Sequence, residues 1–139
     1  MPKLCLVFIS ISLNLLSQNI VLTDSTQKSA LRDQLKLFVD SGKEYTIDEL
    51  VNQSSLFKKI DTQKLLFGYT DSAIWLYLRI TNQSTKNWVL SLPRPSLRYV
   101  DFYRIDSNRI THTETGFYRP FHQRDYNFVD FAFPVKQNI

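Results

Sequence analysis

The sequence predicts an all-β sandwich with one short helix near its N-terminus. Three observations carry that expectation. Apolar residues alternate with other residues through several short segments. Asp, Ser, Asn, Gly and Pro gather between those segments as turn residues. Only the stretch from Thr46 to Val51 has helical spacing behind a capping signal.

Leu35, Leu37 and Val39 alternate, so residues 31–39 predict a first strand, ended by the turn Asp40-Ser41-Gly42. Thr46-Ile47-Asp48-Glu49 has the capping-box pattern, in which the Glu carboxylate reaches back to the Thr amide. With Leu50 and Val51 it predicts about two helical turns. Leu56 to Ile60 predicts a short strand, and Gly68 to Ser72 a turn. Ala73 to Thr81 is the strongest strand pattern in the chain. Trp88 to Leu92 follows and stops at Pro93-Arg94-Pro95, because proline has no amide hydrogen to give a ladder. Leu97 to Ile105 and Arg109 to Glu114 flank the hairpin signal Asp106-Ser107-Asn108. Phe128 to Val135 brings the last strand. Many short strands with little helix fit a sandwich or a jelly roll.

The strand from Ala73 has large side chains on both faces. Ile74, Leu76, Leu78 and Ile80 fall on one, and Trp75, Tyr77, Arg79 and Thr81 on the other. Either both faces are covered, one by an opposing sheet and one by loops or the helix, or the aromatic face is a ligand platform.

With 139 residues the chain predicts one domain. Its start, basic at Lys3 and then apolar from Leu4 to Leu16, is too short for a membrane span and has the form of a secretory signal. Residues 1–25 are therefore read as signal peptide and polar lead-in, with cleavage open between Ser17 and Ser25. Residues 26–139 are read as an exported, periplasmic sandwich domain. The same apolar run is also compatible with a buried N-terminal strand or an uncleaved anchor.

Cys5, the only cysteine, lies inside that segment, which leaves the domain without disulfide or thiol chemistry. The net charge of +4 is scattered, with Lys58-Lys59 the longest basic run, and this excludes a nucleic-acid face. His112 and His122 have no cysteine or carboxylate cluster beside them in sequence, so no metal site is expected. Asp71 and Asp101 have no spacing that marks a glycosidase pair. Three glycines in all make no phosphate loop, and there is no nucleophile elbow. No catalytic residue, cofactor or enzyme activity is expected.

Several pieces carry a family likeness when taken in order. They are Asp40-Ser41-Gly42 with Thr46 to Leu50, Gly68-Tyr69-Thr70-Asp71-Ser72-Ala73-Ile74-Trp75-Leu76, Asn82, and Trp88 to Leu92. Val100-Asp101-Phe102-Tyr103, Thr115-Gly116, Pro120-Phe121, Arg124 and Phe131 to Val135 complete them. In this set the chain resembles the second type of extracellular domain at the amino end of bacterial seven-transmembrane receptors with diverse intracellular signalling modules. The resemblance implies a jelly-roll β-sandwich similar to carbohydrate-binding modules, joined in relatives to a membrane bundle and a signalling output. Tyr77 stands where members commonly carry an Arg after the Trp-Leu pair. Members also continue with another strand or two, so the domain is expected to be incomplete at its C-terminal end.

The expected ligand is carbohydrate-like or a small anion. Trp75 and Tyr77 would stack on it, and Arg79 would bond its hydroxyls. Tyr103, which shares a strand face with Tyr99 and Asp101, would extend that surface. Arg119 and Arg124, in the aromatic-rich loop Gly116 to Tyr126, would clamp an anion. The competing expectation is a structural module that packs against another domain or a second copy and binds no small molecule.

Overall fold

The computed structural model describes residues 3–10, 19–27, 34–60, 70–107 and 109–137. Residues 31–33 of the expected first strand, Gly68 and Tyr69 of the expected turn, Asn108 of the hairpin and the cleavage position Ser17 lie outside the described residues. The described residues form two β layers with one short α-helix, an all-β sandwich.

The strands are β1 (Lys3–Ser10), β2 (Ile20–Leu22), β3 (Lys36–Asp40), β4 (Lys58–Lys59), β5 (Ala73–Asn82), β6 (Trp88–Leu92), β7 (Tyr99–Asp106), β8 (Arg109–Thr115) and β9 (Phe131–Val135). The larger sheet has the order β4-β3-β5-β1-β7-β8, and β2 also pairs with β5. β6 and β9 make the second, two-stranded layer.

The space between the layers is filled by alternate residues of facing strands. Ile74, Leu76, Leu78 and Ile80 of β5 and Val100 and Phe102 of β7 meet Phe131, Phe133 and Val135 of β9. Phe102 and Phe133 stack with centroids 4.1 Å apart. Burial of each such side chain stabilises the fold by about 1.5–3 kcal/mol, so this layer is the main support of the sandwich. Asn82, fully buried at the end of β5, ties the layers together. Its side-chain amide donates to the Val135 carbonyl, and its oxygen accepts from the Ser84 amide and hydroxyl. The Ser84 hydroxyl in turn accepts from the Trp88 indole at 2.8 Å.

The opposite face of the large sheet holds a second core. Helix α1 (Ile47–Val51) begins where the Glu49 carboxylate accepts from the Thr46 amide at 2.8 Å and its hydroxyl at 3.0 Å. At five residues it is shorter than expected, because a 3-10 turn over Ser54–Leu56 takes over from it. α1 lays Leu50 against Phe57, Trp75 and Tyr77. The expected strand over 56–60 is reduced to β4, two exposed lysines.

Two strands lie in the segment read as signal and lead-in. Lys3–Ser10 runs between β5 and β7, parallel to both. Ile20–Leu22 pairs with residues 80–82 of β5. Beyond β2 the chain is anchored at Asp24, whose carboxylate accepts from the Thr85 amide and hydroxyl.

Candidate functional site

A two-residue hairpin sets the geometry of the most polar surface. Asp106 pairs with Arg109 across Ser107, which takes a left-handed φ of 52°. Counting back along the ladder puts His112 opposite Tyr103 and Glu114 opposite Asp101. Directly opposed residues share a face, so these four side chains stand together on the outer face of the large sheet.

Gly116 then turns the chain back over that face. Its φ of 137° suits glycine alone, and a Cβ there would lie 2.2 Å from the Arg98 carbonyl oxygen. The amides of Phe117 and Tyr118 donate to the carbonyls of Leu97 and Arg98, and this delivers Arg119 to Asp101. The Arg119 guanidinium donates to the Val100 and Thr115 carbonyls at 2.8 and 3.0 Å, and to both Asp101 carboxylate oxygens at 3.2 and 3.3 Å. It also stands 3.6 Å from the Glu114 carboxylate and 5.5 Å from the Tyr99 ring centre. Asp101 is 1 % exposed, and a carboxylate so buried needs partners of this kind. His112 Nε2 supplies another at 2.8 Å.

Aromatic rings extend the cluster in both directions. Tyr103 stacks on His112 at 4.3 Å and on Trp75 at 5.9 Å. At the other end Tyr99 meets Tyr118 edge to face at 5.9 Å, and Arg98 lies over the Tyr118 ring. The result is a strip from Trp75 to Tyr118, buried at its first end and open at its last.

The sequence-predicted site residues divide along this strip. Trp75 and Tyr77 are 3 % and 6 % exposed; Tyr103 and Phe57 lie against their rings, and α1 packs over them. Their faces are closed to a ligand in this structure. The Trp75 indole nitrogen is buried with no acceptor among the described residues. Arg79, half-buried, donates to the Tyr77 hydroxyl at 3.4 Å. Tyr103 and Arg119 do come together, through Asp101 and His112. Arg124 does not join them. It donates to the Phe128 and Val129 carbonyls and packs over Phe121 and Phe131. It also lines a small cavity with Thr113 and Thr115, which alternate with His112 and Glu114 and so occupy the opposite face of β8.

Sequence reasoning missed His112 and Glu114 as members of the strip. The hairpin register contained the signal, since a two-residue loop after Asp106 sets every pair behind it. Asp101, His112 and Glu114 offer donor atoms within 4.8 Å of one another, the spacing of a metal cage. The Arg119 cation already sits on both Asp101 oxygens, so the arrangement is an ion-pair network built around a buried carboxylate.

The family model for the 7TMR-DISM extracellular 2 domain matches residues 32–138. The chain belongs to that family. Membership makes it a sensor-type extracellular domain of the kind carried by membrane receptors, and fits an extracytoplasmic location. No curated protein matches the chain. Among the described residues, no helix is long and apolar enough to cross a membrane.

Proposed function

We propose that this 7TMR-DISM extracellular 2 domain is a non-enzymatic ligand sensor of the periplasm, exported by its N-terminal segment, and that it binds a carbohydrate-like molecule on the open half of the outer face. The observation that carries this reading is the pairing of exposed rings with exposed polar groups. Tyr99 and Tyr118 present apolar ring surface, and Glu114, 59 % exposed on its side chain, offers a hydrogen-bonding carboxylate on the same face, with His112 further along the strip against Tyr103. Flat rings that pack on sugar C–H faces, next to groups that bond hydroxyls, are what such a ligand requires. An anionic ligand fits less well, because Arg119 and Arg124 are both engaged by their own chain.

Titration of the folded full chain with a panel of neutral and acidic sugars tests the reading. Tryptophan emission is the readout, since Trp75 stacks on Tyr103 within the strip. A saturable change is expected, weakened roughly 2- to 10-fold by Tyr99→Ala or Tyr118→Ala. A flat response to every sugar from a folded protein would remove the ligand from this face.

A second reading, a packing module without a small ligand, is favoured by a different surface. Phe117, Phe121, Phe128 and Val129 are exposed. Phe128 and Val129 border a groove of about 330 Å³ with Val89, Ser91, Asp130 and Ala132. Exposed apolar clusters of this kind mark protein contacts. Sedimentation separates the two readings, because a monomer at all concentrations argues against self-association through this groove.

A further inference from the structure

The loop after Gly116 meets the sheet a second time, on the face of β8 away from the strip. Thr113 and Thr115 share that face, because side chains alternate along a strand. With Phe131 and Phe133 of β9 and Arg124 and Asp125 of the loop they line a cavity of about 10 Å³.

Two independent observations name what belongs in it. The first is a pair of buried polar atoms on its lining residues. Thr115 is 3 % exposed, and its hydroxyl oxygen has no hydrogen-bond partner among the described residues. Arg124 donates through Nη1 to the Phe128 and Val129 carbonyls, while its buried Nε has no partner among the described residues. Buried polar atoms are almost always hydrogen-bonded, so both call for one. The second observation is size. A space of roughly 10–15 Å³ holds one water, and such a water needs about two to four polar partners. Thr115 and Arg124 supply two, and the Thr113 hydroxyl and Asp125 carboxylate stand on the same wall. Lined by phenylalanine alone, a cavity of this kind would stay dry.

We propose that this cavity is a hydration site, in which one water accepts from the Arg124 Nε–H and donates to the Thr115 hydroxyl oxygen. Thr115 thereby positions both arginines of the loop. Its carbonyl accepts from Arg119 at 3.0 Å on the outer face, and its hydroxyl holds Arg124 through the water on the inner one. The end of β8 is gripped from its two faces by one residue, which fixes the loop that carries Tyr118 to the strip. This inference does not depend on the sugar-binding reading and survives its failure.

The test uses the folded full chain, isotope-labelled, and reads magnetisation transfer from water to the Arg124 Nε proton and the Thr115 methyl group. Cross-peaks of opposite sign in NOE and ROE spectra are expected at both, as a long-lived water gives; simple proton exchange gives the same sign in each. Thr115→Val keeps the shape and removes the hydroxyl, so it should abolish the Arg124 cross-peak and speed exchange of that proton about tenfold. Thr115→Ser should preserve both. Absence of the cross-peaks from the native protein would overturn the proposal, and so would their survival in Thr115→Val. If that variant does not fold, a crystal structure of the native protein decides. A water oxygen within about 3.2 Å of both Thr115 Oγ1 and Arg124 Nε supports the site. A direct bond between the two side chains, an anion or an empty cavity defeats it.

Discussion

The outer face of the large sheet has two halves that share a continuous backbone and differ in what lies on them. Over β3 and β5, α1 and Phe57 close the surface, and Trp75 and Tyr77 are sealed beneath Leu50. Over β7 and β8 the loop after Gly116 supplies one arginine and leaves Glu114 and Tyr99 at the surface. The contrast shows that the aromatic residues of a strand do not mark a binding surface; the element laid across them decides. In the closed half, rings answer an apolar cover. In the open half, polar groups answer one another, because a buried carboxylate left unpaired is costly.

Breaking the central group of each half measures that contrast. Asp101→Ala should have the largest effect, about 3–5 kcal/mol in urea unfolding, since it leaves Arg119 without its buried carboxylate partner and only the exposed Glu114 beside it. Glu114→Ala on the same strip should change stability by less than about 1 kcal/mol, as an exposed pair does. Equal losses for the two would mean that the open half is not organised around Asp101. In the closed half, Leu50→Ala should destabilise by about 2–4 kcal/mol and expose Trp75, read as a red shift of its emission. If the indole stays buried, α1 is not its cover.

Smaller effects sharpen the same comparison. Gly116→Ala should destabilise by about 2–3 kcal/mol through its φ and the Arg98 carbonyl, and should loosen the open half alone. Chemical shifts that move around Trp75 and not around Asp101 would reverse that assignment. The smallest change concerns the helix start of the closed half. The Thr46 amide, and then its hydroxyl, hold the Glu49 carboxyl below its ordinary value of 4.5. Because the folded value lies below the unfolded one, this stabilisation is fully present above about pH 5 and is lost as pH falls through the folded value. The stability difference between the native protein and Glu49→Gln should therefore be constant near neutrality and shrink towards zero in acid. A difference that grows in acid would sink this account of the cap.

Much of the local structure was legible because it depends on neighbours in sequence. The limits of β6 and the core of β5 follow from alternation and from where proline and polar turn residues interrupt it. The capping box at Thr46 formed with the expected partner, but the helix ended early in a 3-10 turn that nothing in the spacing announced. At the site, the anion clamp imagined for Arg119 and Arg124 joined two residues of one loop. The structure puts them against opposite faces of β8, with Arg119 held by carbonyls and Asp101 and Arg124 by the carbonyls of Phe128 and Val129. Loop residues close in sequence share no face by necessity, whereas ladder residues do.

The sequence by itself therefore determined the all-β class, most strands, the helix start and the place of the hairpin, since alternation, capping and turn chemistry act over a few residues. Only the tertiary structure decided that α1 covers Trp75, that Asp101 gathers Arg119 and His112, and that Lys3–Ser10 lies between β5 and β7. Those outcomes depend on which surfaces meet across long loops, and burial, the term that selects among such meetings, belongs to no single segment.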